Sequence, residues 1–204
     1  MSPLAQSSAC VTTAILAGGA ASRLGGRDKG LLSLLGRPLI AWILEALALE
    51  PEQPRLIVAN RNLDQYARFA PTISDQHREV FAGPLAGVAA ALGVCETEWL
   101  YTVPVDCVRP RGEILQALCA APMSAKIDAV VAHDGSRRQP LFALYRSSLA
   151  ASAAKAVAAG SGVLRWQNSL NLHEVDLSGL KDAWWNLNTA EDLVLFAGRL
   201  KPDG

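Results

Sequence analysis

The stretch from Val11 to Leu34 constrains this chain more than any other, because it joins an apolar run to a loop rich in glycine and charge. Glycine lets a backbone approach a bulky anion and adopt positive φ, while loop N–H groups and cations supply donors and charge. A surface loop without a ligand has no need of so many glycines at a strand end. The stretch, VTTAILAGGAASRLGGRDKGLLSL, therefore predicts a strand followed by a phosphate-binding loop with three cations, Arg23, Arg27 and Lys29.

Two common phosphate motifs do not fit this loop. The Walker motif ends in Gly-Lys followed by Ser or Thr, whereas Lys29 is followed by Gly30. The dinucleotide fingerprint needs G-x-G-x-x-G, and the glycines here do not have that spacing. The loop therefore belongs to another class of phosphate site.

Length and composition narrow the class of protein. The chain has 204 residues, of which 50% are hydrophobic, enough for one domain with a sizeable core. A net charge of zero argues against a nucleic-acid partner. No uncharged apolar run reaches the roughly 18 residues of a membrane span, and the first residues lack the basic region of a signal peptide. We expect one cytoplasmic domain over residues 1–204, with 1–10 as a flexible tail and no membrane contact.

Apolar segments alternate with helical patterns after the loop. A helix is predicted over Pro38 to Leu49, and another from Gly83 to about Val94. The run from Trp99 to Val105 is β-prone and almost free of polar groups, which favours the centre of a parallel sheet. This alternation of strands and helices predicts a single three-layer α/β/α domain with a mostly parallel, Rossmann-like nucleotide-binding sheet. The second half is expected to add an edge hairpin and the acceptor side of the cleft.

Asp106 directly follows the predicted central strand. Ligands of open α/β sheets bind beyond the carboxyl ends of strands, where both Asp106 and the glycine loop are expected. A carboxylate there needs a cation or hydrogen-bond donors, and a magnesium ion shared with phosphates would satisfy it. The alternative is a cap for a helix near Gly112 to Ala120, but Pro110 and Arg111 intervene, so the metal interpretation is preferred.

The segment from Asn186 to Thr189 carries two asparagines two residues apart. On an extended backbone Asn186 and Asn188 would point to the same side and could face one ligand. They could equally be turn asparagines that bond only local backbone, and the spacing leaves both interpretations open. Thr189, with Asp192 three residues on, predicts a capping box at the start of a last helix.

Taken together, these motifs resemble those of the molybdenum cofactor guanylyltransferases, a family of nucleotidyltransferases, over essentially the full chain. The family's loop pattern is L-A-G-G-x-x-x-R-x-G-G-x-D-K-G, and Leu24 replaces its usual methionine with similar volume. The matching segments occur in the family's order: Leu16 to Gly19, Arg23, Gly25 to Gly26, Asp28 to Gly30, Gly83 to Gly87, Val103 to Asp106 and Asn186 to Thr189.

The resemblance implies transfer of GMP from GTP to the terminal phosphate of molybdopterin, with or without molybdenum, and release of pyrophosphate. It implies Mg²⁺ as cofactor, with molybdoenzymes or their chaperones as further partners. Catalytic residues carried over are Arg23, Lys29 and Asp106, with Asp106 as the metal ligand. Nucleotide-binding residues carried over are Leu16, Ala17, Gly18, Gly19, Lys29, Asn60, Asp75 and Asp106, with Val58 in place of Asn60 if the register shifts by two. Acceptor-binding residues are Gly26, Asn186 and Asn188.

Three other functions agree less well with these motifs. A CTP-dependent molybdopterin cytidylyltransferase is disfavoured by the resemblance. Those enzymes more often have the sequence L-A-A-G where this chain has L-A-G-G, at Leu16 to Gly19. A non-catalytic GTP-binding adaptor in cofactor delivery is disfavoured by the full set of Arg23, Lys29 and Asp106, since binding alone does not need the metal carboxylate. A sugar-1-phosphate nucleotidyltransferase is a more distant alternative.

Overall fold

The fold is described from a computed structural model, which describes residues 11–18, 27–75, 83–107, 112–122, 124–184, 186–187 and 189–200. The predicted tail at 1–10 lies outside these residues. Nine strands are found in this part of the chain: β1 (Val11–Leu16), β2 (Ser33–Leu34), β3 (Arg37–Pro38), β4 (Arg55–Val58), β5 (Thr72–Ile73), β6 (Trp99–Pro104), β7 (Ala129–His133), β8 (Arg138–Arg146) and β9 (Leu172–Asp176).

A seven-stranded sheet with the order β5-β4-β1-β6-β8-β7-β9 forms the centre of the fold. Strand β8 is antiparallel to both of its neighbours, and every other pair is parallel. The prediction of a mostly parallel sheet is confirmed. Strand β6 does lie at the middle of the sheet, but it pairs in parallel only with β1 and antiparallel with β8.

The prediction of an edge hairpin is wrong in its position. Strands β7 and β8 do form a hairpin, but β8 pairs with β6 and β7 pairs with β9, so the hairpin lies inside the sheet. Strand β9 is the edge strand instead. Its alternating, half-buried pattern fits that place, whereas residues 129–132 and 142–145 are fully buried because they have a neighbour on each side.

Helices cover both faces of the sheet, as the three-layer prediction requires. Strand β1 shows why, since Val11 and Ile15 pack into one apolar cluster and Ala14 and Leu16 into the other. The helices are α1 (Leu39–Leu47), α2 (Leu63–Tyr66), α3 (Pro84–Gly93), α4 (Gly112–Cys119), α5 (Ala150–Ala158), α6 (Val163–Gln167) and α7 (Ala190–Leu200). Helices α1 and α4 pack into the first cluster, and α3 and α5 into the second.

Some boundaries and small elements differ from the predictions. Helix α1 ends before Ala48, which adopts the left-handed conformation at φ 46°. The short hairpin β2–β3 turns through Leu35 and Gly36, both at positive φ, as two-residue hairpin turns require. In the described part of the chain, no helix is both long and apolar enough to cross a membrane.

Candidate active site

The candidate site lies where three neighbouring parallel strands end. Leu16, the last residue of β1, lies opposite Val58 of β4 and Pro104 of β6. Hydrogen bonds continue this pairing past the strands, from the N–H of Ala17 to Val58 at 2.8 Å and from the N–H of Val105 to Leu16 at 3.0 Å. The segments that follow β1, β4 and β6 therefore leave the sheet from one edge, as predicted for the ligand side.

A cleft of about 150 Å³ opens at this edge. Its walls include the strand end of β1, the start of α3 and one residue of the antiparallel strand β8. The lining residues are Leu16, Ala17, Gly18, Lys29, Pro84, Pro104, Val105, Asp106 and Leu141. The structure thus brings Leu16, Ala17, Gly18, Lys29 and Asp106, all predicted site residues, into one cavity.

Lys29 and Asp106 form the charged part of this cleft. The Lys29 Nζ lies 3.6 Å from the Asp106 Oδ2, and their side chains are 17% and 30% exposed. Lys29 begins a short 3₁₀ turn, Lys29–Leu31, and Asp106 lies two residues beyond β6. A cation and a carboxylate therefore meet in the cleft, and both side chains are partly accessible from it.

The chemistry of Asp106 is compatible with magnesium. Among the described residues, no group of three or more His, Cys, Asp or Glu side chains is placed to hold a metal ion. Magnesium commonly needs no such group, because it keeps several waters and binds one or two carboxylates together with substrate phosphates. A single carboxylate beside a phosphate-sized cleft fits that pattern.

Asn60 and Asp75 form a reciprocal pair beside the cleft. The Asn60 Nδ2 donates to the Asp75 Oδ2 at 2.8 Å, and the Asp75 N–H donates to the Asn60 Oδ1 at 3.2 Å. Gly18 lies against both, since a Cβ there would be 3.3 Å from the Asn60 Nδ2 and 3.7 Å from the Asp75 Oδ2. Three predicted nucleotide-binding residues are therefore adjacent. Val58, the alternative to Asn60, is buried in the core, where it lies near Gly87 of α3.

The C-terminal segment approaches the same strand end. Asn186 pairs with Cys107 through an isolated antiparallel bridge, and the N–H of Leu187 donates to the backbone oxygen of Asp106 at 2.8 Å. The segment therefore lies beside the residue predicted to bind metal. The remaining predicted site residues, Gly19, Arg23, Gly26 and Asn188, lie outside the described residues.

Sequence reasoning did not identify all of the cleft wall. Pro84 and Leu141 line the cleft, although neither was predicted to do so. Pro84 belongs to the recognised Gly83 to Gly87 segment, so a signal was present. Leu141 carried none, because its place depends on β8 running antiparallel beside β6.

The mostly parallel sheet, the glycine-containing strand end and the facing cation and carboxylate fit a nucleotide-binding protein of the α/β class. Residues 13–175 match the family model described as the MobA-like NTP transferase domain, and the chain belongs to that family. The matched residues extend from within β1 to within β9, so the family match covers the whole seven-stranded sheet.

Curated relatives and a solved structure agree with this family. The chain is 38% identical to a molybdenum cofactor guanylyltransferase of Vibrio cholerae, over 92% of this chain and 91% of the relative. It is 36% identical to one of Vibrio vulnificus, over 89% of this chain and 92% of the relative. The crystal structure of molybdopterin-guanine dinucleotide biosynthesis protein A from Archaeoglobus fulgidus superposes with a TM-score of 0.75 at 26% identity, covering 92% of this chain and 97% of that one.

Proposed function

We propose that the protein transfers GMP from GTP to the terminal phosphate of molybdopterin and releases pyrophosphate, and that the chain forms one domain for this purpose. The observation that carries the proposal is the Lys29–Asp106 pair in a cleft that begins at the Leu16 to Gly18 strand end. The names of the curated relatives support guanine as the base and molybdopterin as the acceptor. They do not favour the CTP-dependent enzyme or the non-catalytic adaptor.

The nucleotide binds on the β1 side of the cleft in this proposal. Leu16, Ala17 and Gly18 offer backbone close to the ligand, and the absent side chain at Gly18 leaves room beside Asn60 and Asp75. Gly19 is proposed as a further nucleotide contact from the sequence resemblance. Asp75 is only 7% exposed, so its carboxylate can accept hydrogen bonds from the base or ribose with little competition from water.

Charge neutralisation is the main catalytic task in this reaction. The attacking group is already a phosphate anion, so no general base is required, and positioning together with electrostatic stabilisation is sufficient. Lys29 and Arg23 would neutralise charge on the transferring phosphate. Asp106 would hold the magnesium ion, which supplies further positive charge to the phosphates when bound.

Molybdopterin binds on the other side of the cleft in this proposal, with Gly26, Asn186 and Asn188 as its contacts. Support comes from Asn186, whose bridge to Cys107 places it next to Asp106 in the chain's fold. Delivery of the product to molybdoenzymes or their chaperones, and a cytoplasmic location, stay predictions from the sequence.

Pyrophosphate release tests this function directly. The assay supplies GTP, CTP or ATP with Mg²⁺, each with and without molybdopterin. We expect release only when GTP and molybdopterin are both present. A clear preference for CTP would show that the transferred base is cytosine rather than guanine. Folded protein that binds GTP but releases no pyrophosphate would favour the adaptor.

A further inference from the structure

Asp28 lies next to Lys29, but its carboxylate binds a distant helix and is not among the residues that line the cleft. The Tyr66 hydroxyl donates a hydrogen bond to the Asp28 Oδ1. The Asn62 Nδ2 donates to the Asp28 Oδ2 at 3.0 Å. Both carboxylate oxygens are thus bound by residues at the start and end of α2, and we call Asp28, Asn62 and Tyr66 the Asp28 brace.

Tyr66 also contacts the residue on the other side of Lys29. The Tyr66 ring and hydroxyl pack closely against the backbone of Gly30. A Cβ at Gly30 would overlap the same hydroxyl and would lie 2.9 Å from the Val105 Cγ2. One hydroxyl therefore contacts both neighbours of Lys29, through a hydrogen bond to the Asp28 carboxylate and through close packing against Gly30. The contact lies within the core, because Tyr66 is 0% exposed.

The Tyr66 hydroxyl is a stable donor. Burial above all, and then the hydrogen bond to Asp28 and the charge of that carboxylate, raise the pKa of Tyr66 well above its ordinary value. The phenol therefore keeps its proton at neutral pH and can donate to Asp28. Asp28, in turn, accepts a hydrogen bond that is assisted by its negative charge, which is among the stronger kinds in proteins.

Asn62, the other partner of Asp28, does not cap the helix that follows it. It precedes α2 at φ 52°, and its side chain makes no cap hydrogen bond to that helix. Asparagine in this position usually caps the helix that follows. Here the amide donates to Asp28 instead, so the sequence around α2 serves the Lys29 turn as well as its own helix.

We propose that Tyr66 is a positioning residue for phosphate transfer: by holding Asp28 and Gly30, its hydroxyl fixes the turn that directs Lys29 toward Asp106. The inference rests on the proposed function, in which Lys29 neutralises phosphate charge. A lysine side chain has several rotatable bonds, so its ammonium is well placed only if the backbone beneath it is held. Small displacements of a charge-stabilising group can cost on the order of 10²-fold in rate.

The first test removes only the hydroxyl, in Tyr66→Phe. We expect kcat with saturating GTP and molybdopterin to fall about tenfold, while KM for GTP changes less than about threefold. Tyr101→Phe is the matched control, because Tyr101 is equally buried and its hydroxyl has no hydrogen-bond partner among the described residues. Its kcat should equal that of the unmodified protein. Equal kcat for Tyr66→Phe would overturn the inference.

The second test repeats Tyr66→Phe in a Lys29→Ala background. If Tyr66 acts through Lys29, the added substitution causes no further loss of kcat, because interacting sites are not additive. A further tenfold loss would show a general structural effect and would overturn the inference. Asn62→Gly supplies a second variant that keeps positive φ at an exposed position. We expect a loss of about threefold, on the scale of one weakened hydrogen bond, again only with Lys29 present.

A third measurement needs no substrate and separates this inference from the proposed function. Mass spectrometry follows the acetylation rate of Lys29 by a small reagent in the unliganded protein. We expect Tyr66→Phe to change that rate about threefold or more, because it alters the exposure and pairing of the ammonium. Tyr101→Phe should leave it unchanged. Equal acetylation rates in the unmodified protein, Tyr66→Phe and Tyr101→Phe would overturn the inference even if GMP transfer is confirmed. If Tyr66→Phe alters the reactivity of Lys29 but the unmodified protein transfers no GMP, only the proposed function is rejected.

Discussion

Lys29 and Asp106 hold opposite charges in one cleft, and each is expected to take a new partner when substrates bind. In the proposed reaction Lys29 would pair with a phosphate, and Asp106 would hold the magnesium ion. In the structure the two groups form an ion pair with a distance of 3.6 Å. It contributes little to stability, since partly exposed pairs are worth about 1 kcal/mol or less.

Substitution of either residue should therefore separate catalysis from folding. We expect Lys29→Ala and Asp106→Ala each to lower the rate of pyrophosphate release by on the order of 10²-fold or more, as losing a charge-stabilising group typically does. Urea unfolding should show a change of about 1 kcal/mol or less. Lys155→Ala, at an exposed position of α5, is the control for charge removal. Near-normal GMP transfer by Lys29→Ala or Asp106→Ala would contradict the assignment.

Gly18 makes a second prediction at this scale. A methyl group there would lie 3.3 Å from the Asn60 Nδ2 and would occupy space in the cleft. We expect Gly18→Ala to raise KM for GTP about tenfold, because one extra carbon in a fitted pocket costs that much. Steady-state kinetics measure it, with Gly93→Ala as the control, since a Cβ at Gly93 meets nothing within 4 Å. Unchanged KM would show that GTP does not approach this strand end.

Individual residues differ in how far the sequence could predict them. Lys29 and Asp106 were expected to meet, because strand-end loops of a parallel sheet share one edge. The contact of Asp28 with Tyr66 could not be predicted, since it spans 38 residues and no local pattern encodes it. The placement of Asn60 beside Asp75 depends on β4 and β5 being neighbours in the sheet, which the sequence pattern does not determine.

At the level of elements, helix α7 begins directly after the segment that contacts the strand end at Asp106. Thr189 and Asp192 form the predicted capping box: the Asp192 N–H donates to the Thr189 hydroxyl at 3.1 Å, and the Thr189 N–H donates to the Asp192 carboxylate at 2.8 Å. Further along the helix, Phe196 packs into a small apolar cluster that includes Leu187. The cap therefore stabilises the segment that hydrogen-bonds to Asp106.

Removal of the cap should destabilise the protein by a small, measurable amount. We expect Thr189→Ala to lower the free energy of unfolding by about 1 kcal/mol, the usual cost of losing such a cap. Thr189→Ser keeps the hydroxyl and should lie within a few tenths of a kcal/mol of the unmodified protein. Denaturant unfolding of the three proteins measures this difference. Equal stability of the Ala and Ser variants would show that the cap contributes nothing.

Long elements were predicted better than short ones. Strand β6 and helix α3 have six or more residues of consistent pattern, and both were found close to their predicted limits. The β2–β3 hairpin and α6 were not predicted, because two-residue strands and a five-residue helix give too little periodicity to recognise. The position of the β7–β8 hairpin was wrong, because strand order is set by tertiary pairing.

At the level of the whole molecule, the sheet order brings residues from both halves of the chain to one cleft. The N-terminal half supplies β1, β4 and Lys29, and the later half supplies Leu141 and the segment that contacts Asp106. Residues far apart in the chain therefore line one cleft, because the sheet order brings their strands together. The single family model that matches residues 13–175 likewise includes residues from both halves of the chain.

The most direct test of the account follows the α-phosphate of GTP. The protein is incubated with Mg²⁺, molybdopterin and GTP that carries a radioactive α-phosphate, and the products are separated. We expect the label in a molybdopterin guanine dinucleotide, formed mole for mole with pyrophosphate. Label that stays in GTP, or that appears in free GMP or GDP whether or not molybdopterin is present, would contradict GMP transfer by this protein.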